Sequence, residues 1–230
     1  MMSTMKTSEL FKQRSFVNRK IDAVAFKAIG DSALVTKVVV KGDSKNHATN
    51  LALIDLSVAA RIGFRGTNAN SHLKVAKLPV PSKPNMMVQS KTESLMTLRL
   101  SDNEYWVLDG STDMGEKLLK LTALPVPDNC YRLYCQHSHA WFMLTGQYIE
   151  QTMAKICGVD LRKLSFPLDT IVQTSVAKVN AVIVRHEVNE IPVFSVLSDS
   201  ASAEYLWDCL LDAMIEFEGH VVGIDALDLD

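Results

Sequence analysis

The sequence lacks most of the short signatures that announce a chemistry. None of its four cysteines, Cys130, Cys135, Cys157 and Cys209, forms a C-x-x-C pair, so neither a zinc knuckle nor a redox dithiol is signalled and reduced thiols are expected. There is no G-x-S-x-G elbow, no G-x-x-x-x-G-K-[ST] phosphate loop and no H-E-x-x-H; Gly63 and Gly66 alone fall short of G-x-G-x-x-G. No excess of either charge exists: 24 Lys and Arg stand against 26 Asp and Glu, a formal net charge of −2. That balance argues against a nucleic-acid binder working through bulk charge. No apolar run approaches the ~18–20 residues of a membrane-spanning helix. Glycine and proline are scarce, 10 and 7 in 230 residues, and no low-complexity tract occurs, which excludes collagen-like, coiled-coil and disordered classes.

What is present is enough apolar content, 47% of residues, to fill the core of a globular chain. The first 20 residues carry Lys6, Lys12, Arg14, Arg19 and Lys20 against Glu9 and have no continuous apolar stretch of a secretory signal. Residues 1–28 therefore read as a basic N-terminal arm, separable from the domain, in a cytoplasmic protein; an organelle presequence has a similar composition.

The body reads as strands interrupted by a few helices. Residues 33–41 are rich in β-branched side chains and end at Gly42-Asp43, a strand and turn. Residues 51–55 form a second apolar run, and 61–66 a strand closing on Gly66, with a helix starting at 67–73. Pro79, Pro81 and Pro84 make 78–85 a loop. Met86-Met87-Val88 beside it reads equally as a partner contact or as core. The alternation over 94–109, broken by Asp102-Asn103, predicts a hairpin, and 113–124 a helix stopped by Pro125 and Pro127.

From residue 140 the same grammar recurs. A strand over 140–146 closes on Gly146, a helix follows to Cys157, and Gly158 offers a cap. Superposing Gly66 on Gly146 aligns strand, glycine turn and helix. Two such units side by side predict a layered α+β body, with subdomains over residues 29–127 and 128–230 and mixed or antiparallel sheets covered by helices. Residues 181–184 and 191–197 flank a further hairpin turn at 188–190. Leu206, Cys209, Leu210, Ala213, Met214 and Phe217 repeat at the 3.6-residue period opposite Glu204, Asp208, Asp212 and Glu216, a helix ended by Gly219.

Candidate sites are few. His137-Ser138-His139, if on a strand, would aim two imidazoles at one face, but a zinc site needs three or four ligands, and His186 and Asp199 have no evident place near the pair. Cys157 reads as a small buried residue, Trp106, Trp141 and Trp207 as core, and Asp225, Asp228 and Asp230 as a solvated terminus. No catalytic, cofactor-binding or metal-binding residue is assigned.

Two stretches carry a resemblance. Ile54-Asp-Leu-Ser57, then Arg61-Ile-Gly-Phe-Arg-Gly66 with Ala69 and Leu73, resembles the opening of the folate-binding aminomethyltransferase superfamily, typified by the glycine cleavage T-protein. The segments 139–146, 157–161, Phe166-Pro167, Gln173-Thr174 and 203–213 are most similar to gamma subunits of heterotetrameric sarcosine oxidase. Two features of folate-dependent members are missing: a G-G-x-x-D-D-like segment, and a T-G-E-x-G-[FY]-E strand and turn, in whose place stands Arg185-His-Glu-Val-Asn-Glu-Ile-Pro-Val-Phe194. Val58 also stands where the family usually has histidine after Ser57. The resemblance thus implies two ferredoxin-like or aminomethyltransferase-like subdomains and a noncatalytic gamma-type subunit of a heteromeric flavin-dependent oxidase or dehydrogenase of sarcosine or another N-methyl amino acid. Such a subunit would stabilise the large (alpha) subunit, with FAD, FMN, NAD, tetrahydrofolate and zinc held by partner subunits, and no nucleic acid or membrane involved. A folate-binding one-carbon transfer protein and a free-standing adaptor are the alternatives.

Overall fold

A computed structural model describes residues 11–90, 95–109 and 116–227. An antiparallel hairpin, β1 (Ala23–Ile29) and β2 (Ser32–Val38), turns on Gly30-Asp31 with Gly30 at φ +56°, the conformation that glycine supplies at the first position of a tight hairpin turn. It is followed by α1 (Ser44–Asn50), β3 (Ala52–Asp55), β4 (Arg61–Arg65), α2 (Ala69–Val75), β5 (Met86–Gln89), β6 (Leu95–Arg99), β7 (Glu104–Asp109) and α3 (Glu116–Ala123). The second half contains β8 (Tyr131–Leu133), α4 (Cys135–Ser138), β9 (His139–Thr145), α5 (Ile149–Ala154), β10 (Ile171–Val176), β11 (Val179–Val188), β12 (Ile191–Asp199), α6 (Ala203–Met214) and β13 (His220–Val221).

Two larger sheets result, in the orders β5-β6-β7-β4-β8 and β10-β11-β12-β9-β3-β13. The alternation of apolar side chains explains how they stack. On β7, Trp106 and Leu108 face the second sheet while Tyr105 and Val107 face α2 and α3; on β9, Trp141 and Met143 face the first sheet while Phe142 and Leu144 face α5 and α6. The layers are therefore helix, sheet, sheet, helix, an α+β architecture. Trp106, Trp141 and Trp207 are all core residues, as is Cys157. The α6 stripe reads as the period predicted, with Leu206, Leu210, Ala213 and Met214 buried.

The two sheets do not divide the chain at 127/128. The strand preceding each unit has crossed to the other: β3 pairs with β9, and β8 pairs with β4. The exchange is reciprocal in atomic detail. The carbonyl of Asn129 accepts from the Asn68 amide, and that of Asn50 from the Tyr148 amide. Each carbonyl lies so close to Gly66 or Gly146, at φ +133° and +108°, that a β-carbon there would overlap it. The glycines noted in the sequence are thus the points where a returning chain crosses each unit. Gly146→Ala should lower stability by about 2 kcal/mol or more, the scale of local backbone strain. Gly158→Ala, where a β-carbon meets nothing within 4 Å, should leave the urea midpoint within error.

Several expectations change. Residues 1–28 are not an arm throughout: β1 occupies 23–29, and Val17 and Ile21 are buried against the second sheet, because Val17, Ile21 and Phe26 supply apolar cover that the sheet face needs. Residues 1–10 lie outside the described residues. Removing residues 1–20 would accordingly strip a core side chain. Met86-Met87-Val88 is strand β5, with Met87 buried. The helix after Gly146 stops at Ala154. The last helical turn ends on Glu218 in the left-handed region at φ +51° rather than on Gly219, since Gly219 packs against Met214 and Leu51 with no room for a β-carbon. Strand β10 was not anticipated, because Ile171 to Val176 mixes Gln, Thr and Ser into its pattern. Asp225 lies in a 3-10 turn, Ile224–Leu227, 4.0 Å from Lys37; Asp228 and Asp230 are outside the described residues. Among those described, no helix is long and apolar enough to cross a membrane.

Candidate functional site

The two crossing connections run side by side, and Arg61 at the start of β4 ties them together. Its guanidinium donates to the carbonyls of Ser57 and Ala59 in the β3–β4 connection, and to those of Cys135, Gln136 and His139 in the β8–β9 connection. Its own amide donates to Gln136 Oε1 at 2.8 Å. Asp55 Oδ1 accepts the Ser57 amide at 2.9 Å, and Ser57 Oγ accepts the Trp141 amide at 3.2 Å. The Asp-Leu-Ser motif and its following arginine are therefore the fastening of the strand exchange. Burial lowers the Arg61 pKa to about 10, and burial raises that of Asp55 against the pull of Ser15, Ser57 and Arg61. Arg61 remains a cation at neutral pH, with every donor directed at protein.

A second polar chain lies between the sheets. The Trp141 indole N–H donates to Ser195 Oγ at 2.9 Å, and Ser195 Oγ lies 2.8 Å from His186 Nε2. Full burial pushes the His186 pKa down to about 4, opposed in part by its hydrogen bond to the Glu187 backbone. A neutral imidazole accepting the serine proton completes the chain. A serine beside a histidine is the beginning of nucleophilic machinery, but Ser195 is 1% exposed and His186 3%, and so weak a base takes up little proton at neutral pH. Its role here is to satisfy buried polar atoms.

The hairpin of β11 and β12, turning at 189–190, is committed to internal contacts. Arg185 is buried, pairs with Glu150 at 2.6 Å and donates to the Leu161 carbonyl at 3.0 Å. Asn189 donates to the Leu227 carbonyl at 2.8 Å. The turn residues Asn189 and Glu190 both have positive φ, and Glu187 and Glu190 are exposed.

The pair His137 and His139 does not share a face. The expected strand begins only at His139, since Cys135–Ser138 forms one helical turn in which the carbonyls of Cys135 and Gln136 reach Arg61. His137 is exposed, whereas His139 is packed edge-on against Trp106 with ring centroids 4.7 Å apart; burial and the Arg61 charge both lower its pKa. Asp199 is opposite His139 in register but accepts the Ala201 amide at a 3-10 turn. His186 lies elsewhere on the sheet, opposite Val193. Among the described residues no three His, Cys, Asp or Glu side chains are grouped for a metal ion. Cys135 is buried, and its thiol is pushed up to about 11, an unreactive thiol.

A cleft of about 700 Å³ lies where the β1–β2 turn, α3 and the end of β8 meet. Ile62, Leu118, Thr122, Arg132 and Tyr134 are among its walls. Sequence reading did not find it, because its walls come from five separated segments with no common spacing; the exposed aromatic pair Tyr131 and Tyr134 was the available signal.

No family model matches the chain, and no curated protein sequence matches it. Solved structures do. It is similar to a chain of heterotetrameric sarcosine oxidase from Corynebacterium sp. U-96 in complex with pyrrole 2-carboxylate, at TM-score 0.61 and 16% identity, over 76% of this chain and 91% of that one. It is also similar to the glycine cleavage system aminomethyltransferase T from Bartonella henselae, at TM-score 0.68 and 15% identity, over 94% of this chain; the chain spans 61% of that protein's length. The aminomethyltransferase-like scaffold expected from the sequence is the fold observed.

Proposed function

We propose that this chain is a noncatalytic gamma-type subunit of a heteromeric flavin-dependent oxidase or dehydrogenase acting on sarcosine or another N-methyl amino acid, and that it stabilises the large subunit in the cytoplasm. The observation that carries the reading is an aminomethyltransferase-like scaffold whose 185–194 segment, where the sequence departs from folate-dependent relatives, is spent on Arg185–Glu150 and Asn189–Leu227 contacts. The extent of the match to the sarcosine oxidase chain, 91% of that chain's length, supports a subunit of that size. On this reading FAD, FMN, NAD, tetrahydrofolate and zinc belong to partner subunits, and this chain's contribution is surface and rigidity.

Purification of the tagged chain from its native cell tests this directly. Native mass spectrometry should find a large subunit in stoichiometric amount, and the eluate should absorb near 450 nm (about where bound flavin absorbs). A colourless chain arriving alone overturns the proposal. In that event tetrahydrofolate titration decides the next reading: micromolar binding would favour one-carbon transfer, and its absence an adaptor.

A further inference from the structure

The strand exchange gives each sheet a borrowed strand, and the two borrowed strands are finished differently. Matching Gly66 with Gly146 places Tyr131, Arg132 and Leu133 of β8 on Ala52, Leu53 and Ile54 of β3, since Tyr131 pairs with Arg65 just as Ala52 pairs with Thr145. The outer edge of β3 is covered by β13, which runs parallel to it. The His220 amide donates to the Leu51 carbonyl and the Val222 amide to the Leu53 carbonyl, each at 3.1 Å. The corresponding groups on β8 are the carbonyls of Cys130 and Arg132 and the Arg132 amide. Among the described residues no strand lies beyond β8, and none of these groups takes part in a backbone bond of the kind β13 supplies.

An uncovered edge of this kind is a template for another strand. The strand is short, three residues with Arg132 at its centre, but aromatic side chains stand open on it: Tyr131 and Tyr134 are 65% and 74% exposed, and no lysine or proline lies within 131–134. The cleft opens beside it, with Arg132 and Tyr134 in its wall. Arg132, whose Nη2 donates to the Leu124 carbonyl, and His137 are basic groups at that rim, while the acidic group there, Asp31, is paired with Lys12 at 3.1 Å.

We propose that the outer edge of β8 receives a short extended segment of a partner polypeptide, parallel to β8, as β13 lies on β3. The segment donates to the Cys130 and Arg132 carbonyls, accepts the Arg132 amide, and places an acidic side chain toward Arg132 in the cleft. This rests on the proposed subunit role, and identifies where the partner attaches.

Hydrogen exchange at single-residue resolution, on the isolated chain and on the co-purified complex, tests it. The Arg132 amide should exchange at least 100-fold more slowly in the complex, with the Val222 amide, already bonded within the chain, unchanged. Arg132→Pro, which removes the donor on an edge that tolerates proline, should reduce partner recovery at least tenfold. Arg132→Ala, which keeps the donor and removes only the side-chain contact with the acidic group, should reduce recovery by less, about threefold, the scale of one exposed ion pair. A retained partner with fast Arg132 exchange, or full recovery with Arg132→Pro, overturns the edge assignment and leaves the subunit reading standing. A chain that purifies alone overturns both, and Arg132 protection already present in that lone chain assigns the edge to the chain itself, against the proposal.

Discussion

Arg61→Met should destabilise the protein by about 4 kcal/mol, measured as the change in urea unfolding free energy at pH 7. Exchanging a buried ion pair for apolar groups is often harmless when both partners are replaced. That escape is closed here, because the partners are five backbone carbonyls, of Ser57, Ala59, Cys135, Gln136 and His139, which no substitution removes. Each carbonyl left dry costs roughly 1–3 kcal/mol; relaxation and entering water reduce the total toward the ~3–5 kcal/mol seen when one side of a buried charged contact is lost. Asp55 would lose its nearest cation as well. Arg61→Lys, keeping the charge with three donors on a flexible stem, should fall between the two. A loss under about 1 kcal/mol for the methionine variant would mean that the crossing connections are held by packing alone.

Acid should weaken the fold through His186. Its pKa is about 4 in the native state against an ordinary 6.5, so the unfolded chain takes up a proton that the folded chain refuses. The stabilising contribution is complete above pH 6.5 and is lost progressively as the pH falls toward 4. Between pH 7 and 4.5 the linkage amounts to roughly 2 kcal/mol. His72, His139 and His220 are also lowered and act in the same sense. Asp55, whose pKa is raised, acts in the opposite sense: its native carboxyl holds a proton to higher pH, which favours the folded state as acid is added. Comparing pH 7 with pH 4.5 in the wild type and in His186→Gln isolates the effect. The variant should shed about 2 kcal/mol of the wild type's acid loss, and identical pH profiles would remove His186 as the cause.

The chain's local order was largely legible. Leu206 to Met214 repeats at the helical period, and the alternation around Asp102-Asn103 marks a hairpin, because one face of each is buried and the other wet. The repeat about Gly66 and Gly146 was legible for the same reason. What it meant was not: β3 is a short apolar run and β8 only Tyr131-Arg132-Leu133, both too short to mark which sheet they join, and sheet membership is decided by contacts distant in sequence. The same limit hid the site. Asp55, Ser57 and Arg61 were visible as a family-like motif, but the carbonyls they serve at Cys135, Gln136 and His139 bear no side-chain signature. His137 and His139 were misplaced because a single helical turn, too short to carry a period, interrupts the strand pattern.

The exchange of β3 and β8 also sets an order of events during synthesis. When the first unit has left the ribosome, β4 still waits for β8, and β3 waits for β9, whose pairing joins Ala52 to Thr145, and then for β13. Neither half can close its own sheet, so early fragments expose bare strand edges of the sort that invite aggregation or chaperones. The five-stranded sheet gains its last strand only with β8 and the six-stranded sheet only with β13, long-range pairings that predict slow folding for the chain's length and leave no point at which the polypeptide can be cut into two self-sufficient pieces.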